Sequence, residues 1–392
     1  MKPSQSTNGE AIAPFLASVP EIALEDLRQR LARTRWPERE PVCDWSQGVP
    51  LSALTPLIEY WQSNYDWRRC EAMLNGFGQY RTRIDGLGIH FLHVRSVERN
   101  ALPLLITHGW PGSVLEFHKI IGPLTDPVRY GASAGDAFHL VLPSLPGYGF
   151  SDKPAQTGWD ALRTAKAWAE LMRRLGYGRY VAQGGDWGSF VTTAMARLAP
   201  AGLCAIHLNL VLASLAPIEG EELTPAECAA AADLQRYGRH GMGYGSIQST
   251  RPQTLGFALA DSPVGQAAWI FEKFREWSDC AGDPWKIFSR DELLDNITLY
   301  WLSNSAASSA RFYWETWYHD TWGNLDLSPV DLPTAATTFP KEIARPSRRQ
   351  AERTYRNIIY WNEMQQGGHF AALEQPAIFV RELRDAFRQV RA

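Results

Sequence analysis

The 392-residue chain has little cysteine. Its five residues, Cys43, Cys70, Cys204, Cys228 and Cys280, are odd in number, widely spaced and without a C-x-x-C pair. A disulfide framework and a cysteine-built metal site are thereby excluded, and a reduced, cytoplasmic chain is expected. Excess charge of one sign is also missing: 39 Lys plus Arg stand against 42 Asp plus Glu. That balance excludes a polybasic nucleic-acid binder, and no nucleic-acid partner is expected. Long apolar runs are absent too. The most apolar uncharged stretch, 204–218, contains His207 and Pro217, and the residues from Met1 to Ser6 form no apolar core. No membrane span, membrane anchor or signal peptide is therefore expected. No internal repeat or low-complexity tract is visible. Aromatics, by contrast, are plentiful. Sixteen Trp, 14 Tyr and 16 Phe within a 45% hydrophobic composition supply a large core and enough rings to wall a pocket for an apolar small molecule.

Leu24, Leu27 and Leu31 share one face of a helix that Thr34-Arg35-Trp36-Pro37 ends, and Leu57, Tyr60 and Trp61 mark a second helix. Apolar alternation of period two at 79–84 and 89–94, around Asp85-Gly86-Leu87-Gly88, predicts a hairpin. Strand-length apolar runs at 103–107, 139–143, 179–183 and 203–210 then alternate with helical segments at 114–121 and 160–175. Such alternation predicts an α/β fold whose mostly parallel sheet is covered on both faces. From 213 to 322 the pattern is mainly helical (224–237, 263–277, 290–303). Strand signals return at 335–339 and 357–361 before a last amphipathic helix at 376–390. The expected organisation is an N-terminal segment (1–98) that includes the hairpin, a first part of the core (99–212), a helical cap (213–325) and a second part of the core (326–392). Arg345, Arg348, Arg349 and Arg353 form a basic run broken by Glu352, which reads as a solvated helix face.

Gly184-Gly185-Asp186-Trp187-Gly188 lies between an apolar strand and a helical segment. Glycines two residues before and after a central residue suit a tight strand-to-helix elbow that presents a nucleophile. Asp186 as a plain helix cap is the competing reading. Upstream, His108-Gly109-Trp110-Pro111-Gly112 follows a strand, where α/β hydrolases place one backbone N–H of an oxyanion hole; the residue after the nucleophile gives the other. Those donors would be Trp110 and Trp187. His369, in Gly367-Gly368-His369-Phe370, follows the last strand, so the order nucleophile, acid, histidine is available. Glu342, just past the returning strand, is the preferred acid over Asp331 and Glu352. A carboxylate nucleophile points to displacement at a saturated carbon, because Asp leaves a hydrolysable ester where Ser would leave an ether.

With these residues in place, the chain resembles epoxide hydrolases of the microsomal type, within the α/β-hydrolase superfamily. The resemblance spans nearly the whole chain. It rests on Asp26-Leu27-Arg28-Gln29-Arg30-Leu31 through Trp36-Pro37, on His108-Gly109-Trp110-Pro111-Gly112, on Pro143-Ser144-Leu145-Pro146-Gly147-Tyr148-Gly149, on the Asp186 elbow and on Gly367-Gly368-His369-Phe370. It implies an α/β-hydrolase fold with a helical cap, Asp186 as nucleophile, Glu342 as charge-relay acid, His369 as base, and no metal or organic cofactor. It also implies two cap tyrosines that hydrogen-bond the epoxide oxygen. Tyr313 and Tyr244 are the best matches, with Tyr237 and Tyr318 as fallbacks. The implied partners are a small apolar epoxide and water; a homodimer is left open. The competing functions are a haloalkane dehalogenase with the same nucleophile and a catalytically silent binding protein.

Overall fold

In the computed structural model, which describes residues 11–317 and 326–391, nine strands form one sheet. They are β1 (Ala13–Pro14), β2 (Gln79–Ile84), β3 (Leu87–Val94), β4 (Leu102–Thr107), β5 (Phe138–Pro143), β6 (Tyr180–Gly184), β7 (Leu203–Leu208), β8 (Thr334–Thr338) and β9 (Ile358–Glu363), in the order β1-β2-β3-β5-β4-β6-β7-β8-β9. The pairs β1–β2, β2–β3 and β3–β5 are antiparallel; from β5 through β4 to β9 every pair is parallel. The predicted hairpin forms with a shorter turn than expected. Ile84 pairs with Leu87, so Asp85 (φ 48°) and Gly86 (φ 80°) alone make it. Two consecutive left-handed residues match the twist of the flanking strands, and Asp-Gly is the pair that adopts them at least cost.

Helices α1 (Glu21–Ala32), α2 (Leu51–Ser63) and α3 (Trp67–Asn75) precede the hairpin, and α4 (His118–Thr125), α5 (Ala161–Arg174) and α6 (Trp187–Leu198) connect the central strands. Between β7 and β8 lie α7 (Pro225–His240), α8 (Gly243–Thr250), α9 (Pro252–Asp261), α10 (Pro263–Trp277), α11 (Arg290–Leu302) and α12 (Ala306–Trp317). Short α13 (Arg348–Ala351) and α14 (Ala371–Glu374) lead to α15 (Pro376–Ala386). Alternate strand residues feed two cores, one per face. Leu105, Ala182 and Ile206 pack with Trp168 and Leu171 of α5; Leu104, Ile106, Val181 and Ala205 pack with Ile120 of α4 and Phe379 of α15. Among the described residues, no helix is long and apolar enough to cross a membrane.

Helices α8, α9 and α12 carry no clear periodic signal in the sequence; tertiary packing makes them. Gly256 of α9 lies so close to α12 that a Cβ there would meet the Ala307 Cβ at 2.6 Å. Small residues permit that approach, and the burial it creates outweighs their weak helix propensity. The basic run is not a solvated face. Arg349 donates from Nε to Glu227 Oε1 of α7 at 2.7 Å, and Arg345 pairs with Asp233 of the same helix. Glu227 is buried, and its bonds to Arg349 and Ser347 hold it well below the usual carboxylate range. Arg348, paired along the surface with Glu352 at 2.9 Å, and the exposed Arg353 behave as expected. Arg345 and Arg349 fasten α7 to the segment leading into β9, and the buried Glu227 carboxylate needs the charge of Arg349 beside it.

Candidate active site

The side chains that chemistry requires meet at the carboxyl ends of β4, β6, β8 and β9, where open α/β sheets place their sites. Asp186 follows β6 directly with φ 49° and ψ −128°. A non-glycine residue in that region is strained, and the strain persists only because the elbow is over-determined. A Cβ on Gly188 would lie 1.9 Å from the Thr107 carbonyl oxygen, and one on Gly184 would lie 2.1 Å from that of Gly188. No larger residue fits at either flank. As a helix cap Asp186 does nothing: its side chain makes no capping hydrogen bond to α6.

The Trp110 backbone N–H instead donates to Asp186 Oδ1 at 2.8 Å, while Oδ2 lies 3.3 Å from His369 Nε2. The opposite ring nitrogen, Nδ1, is 2.6 Å from Glu342 Oε1, whose carboxylate is buried. Glu342 Oε1 also accepts the Ile343 N–H at 2.7 Å. The loops bearing acid and histidine are tied by a parallel bridge between Lys341 and Gly368. The competing carboxylates lie elsewhere: Asp331 is exposed and faces Arg356, and Glu352 faces Arg348. Burial alone would lower the His369 pKa. Glu342 and Asp186 override it and hold the imidazole well above its ordinary value.

Cap and core interlock over this centre. Tyr300 Oη of α11 donates to the Gly112 carbonyl at 2.8 Å, and Asn296 Nδ2 donates to that of Pro111 at 2.7 Å, so the cap holds the loop that aims the Trp110 N–H. Tyr244 of α8 stacks on Trp110 with centroids 4.8 Å apart, and Tyr313 of α12 meets Trp187 edge-on at 4.6 Å. Tyr237, a fallback in the sequence reading, is present as well; its hydroxyl lies 2.9 Å from that of Tyr244. Tyr318 lies outside the described residues. Burial, with the Asp186 charge adding to it, raises the pKa of both Tyr244 and Tyr313, so both phenols remain protonated donors. Asp186, Tyr237, Tyr244 and Tyr313 line one cavity of about 110 Å³, whose other walls include Phe190, Leu212 and Trp317. Among the described residues no three His, Cys, Asp or Glu side chains converge as metal ligands do. Sequence reasoning missed Lys273, buried with Nζ 4.8 Å from the Tyr244 ring centroid; a lone lysine in a helix gives no signal of such a place.

Comparison with known proteins shows the family. Residues 12–117 match the epoxide hydrolase N-terminus family, and residues 103–226 match the α/β-hydrolase fold family. Epoxide hydrolase 1 of Sus scrofa is 36% identical over 400 residues, covering 96% of this chain and 88% of the relative. The chain belongs to the epoxide hydrolases. A Stigmatella aurantiaca protein provisionally named an epoxide hydrolase is 60% identical over 381 residues, 97% of this chain and 86% of its own length. The Aspergillus niger epoxide hydrolase structure superposes with a TM-score of 0.87 at 34% identity, covering 97% of each chain. The enzyme thus has an α/β-hydrolase fold and takes an epoxide and water as substrates.

Proposed function

We propose that the enzyme opens a compact apolar epoxide through a covalent ester on Asp186 and then hydrolyses that ester to a vicinal diol. The observation that carries this reading is the shared cavity: one carboxylate and two buried phenols border the same apolar space. Oδ1 is held by the Trp110 N–H, which leaves Oδ2 to attack an epoxide carbon from behind. Tyr244 and Tyr313 donate to the ring oxygen, whose developing alkoxide is otherwise a poor leaving group. Water then attacks the ester carbonyl with His369 as base. The backbone N–H groups of Trp110 and Trp187 stabilise the oxyanion, and Glu342 fixes the ring tautomer.

The raised His369 pKa orders the two steps. In the free enzyme the Asp186 carboxylate helps to keep the ring charged. Esterification removes that charge, so the neutral base is released when water must be activated. Glu342→Gln removes the remaining carboxylate. Ester hydrolysis, which needs the neutral ring, should then keep its rate to lower pH while its plateau falls on the order of 10²-fold. Stopped-flow pH profiles of the second step check this. An unshifted profile, or a larger loss in Asp331→Asn, moves the acid role away from Glu342.

Phenol hydroxyls at the nucleophile suit an epoxide oxygen, whereas a halide leaving group calls for ring N–H donors. Tyr244→Phe and Tyr313→Phe each keep the packed ring and delete one donor. Each is expected to slow ring opening by about 3 kcal/mol, on the order of 10²-fold, and the double variant nearly to abolish it. Single-turnover assays on styrene-type and aliphatic epoxides, with halide release from matched haloalkanes alongside, are the test. Wild-type ring-opening rates in both single variants would make the tyrosines packing residues.

A further inference from the structure

Asp186 has a second cavity beside it, of about 20 Å³, on which the ester mechanism has made no demand so far. Its walls carry polar groups: Glu116, Gln183, Asn209 and His369, together with Asp186 itself. Tyr237, Tyr244, Tyr313, Phe190 and Trp317 border only the larger cavity, while Trp110, Phe117 and Phe379 close the smaller one around its polar groups. The nucleophile therefore stands between a larger, mainly apolar cavity and a smaller one, about the size of one water molecule, that gathers the polar side chains.

Two buried oxygens on this wall, Gln183 Oε1 and Thr107 Oγ1, have no hydrogen-bond partner among the described residues. Gln183 is 1% exposed and Thr107 fully buried. Buried polar atoms are seldom left unpaired, and a bridging water satisfies two to four of them at once. Gln183 Nε2 is already committed to Asn209 Oδ1 at 2.8 Å, which fixes Oε1 as an acceptor. Glu116 is placed by an absence. A Cβ on Gly112 would fall 1.2 Å from Glu116 Oε1, so the carboxyl occupies the room that glycine leaves. Burial pushes Glu116 up to about 8, with Asp186 adding to the rise and His369 and the Ser113 amide opposing it. Away from the nucleophile it borders a cleft shared with His118, Glu292 and Asp295, and Tyr300 is also close. A neutral carboxyl both donates and accepts, as holding a water requires.

We infer that the polar cavity is the seat of the hydrolytic water and that Glu116 is a further catalytic residue, holding that water between His369 Nε2 and the Asp186 carbonyl carbon. The inference rests on the ester mechanism above. With the alkyl chain in the apolar cavity, water in the polar one reaches Cγ without crossing the substrate. Its oxygen bonds to Cγ as one proton passes to His369 Nε2. On collapse the Cγ–O(alkyl) bond breaks, and the departing oxygen takes the proton of the new carboxyl group to leave as the diol. The proton that His369 gives up on esterification restores the tyrosinate left by ring opening, and the proton taken from water returns the ring to the charged state of the free enzyme.

The site would have been hard to see in the sequence. Ser113-Val114-Leu115-Glu116 has the spacing of a helix capping box, which accounts for the glutamate without any chemistry.

The test is rapid mixing of enzyme in excess with styrene oxide, following tryptophan fluorescence for ester formation and intact mass for its decay. Glu116→Leu is expected to form the ester but to hydrolyse it on the order of 10²-fold more slowly, so that the adduct accumulates. Glu116→Gln, a neutral donor and acceptor, should recover to within about tenfold of wild type. Ala372→Val, which narrows the cavity without touching Glu116, should also trap the ester and keeps the test open if Glu116→Leu folds poorly. Wild-type ester decay in Glu116→Leu and Ala372→Val overturns the assignment. So does an equal loss in both steps, since that marks a structural role. If no ester forms even in the wild type, the covalent mechanism itself falls and the water site with it.

Discussion

Asp186→Asn is expected to lower kcat for any epoxide by about 10⁴-fold or more while leaving the thermal midpoint within a few degrees of wild type. The amide keeps an oxygen for the Trp110 N–H, which now lies 2.8 Å from Oδ1, so the elbow geometry survives. Asparagine also tolerates the positive φ of 49° nearly as well as aspartate. What it loses is the anionic oxygen that attacks the ring. Diol assays on freshly purified protein, with peptide mass to exclude deamidation, are the check. Turnover beyond about one hundredth of wild type would remove Asp186 from the role of nucleophile.

The second large effect concerns the path of oxygen, which separates an ester from direct attack of water on the ring. If water attacks the ester carbonyl, the new diol oxygen comes from the Asp186 carboxylate and the water oxygen remains on the enzyme. With enzyme in excess in oxygen-18 water, the first turnover should give largely unlabelled diol and a labelled peptide containing Asp186. His369→Gln should stop the cycle after the first step, because it removes the base while Oδ2 can still attack. The adduct then appears by intact mass at up to one equivalent. A fully labelled first-turnover diol together with no trapped adduct would make Asp186 a general base.

Much of this was legible before any coordinates because the chemistry is carried by short local motifs. The elbow reads directly from its glycines: Gly184 and Gly188 sit where a Cβ has no room. The strands read from apolar runs because both faces of a parallel sheet are buried. Element ends were less legible. The strand expected at 203–210 stops at Leu208, and the helix expected at 114–121 begins as a tight turn at Val114–Phe117 before α4. Ends are set by caps and crossings more than by pattern.

The sequence by itself determined the fold class and the order of the reactive residues along the chain, because a strained elbow, a parallel strand and a carboxylate nucleophile each demand particular residue types at fixed local spacing. Only the tertiary structure decided distance. It placed Glu342, rather than Asp331 or Glu352, 2.6 Å from His369 Nδ1. It turned Arg345 and Arg349 from an expected surface face into the fastening of α7, and it made helices of the glycine- and serine-rich segment bearing Tyr244 and the alanine- and serine-led segment bearing Tyr313. It also brought Glu116, 70 residues before Asp186 by their numbers, to the polar side of the nucleophile. Contacts between residues so far apart in the chain depend on how strands and helices cross, and no local pattern records a crossing.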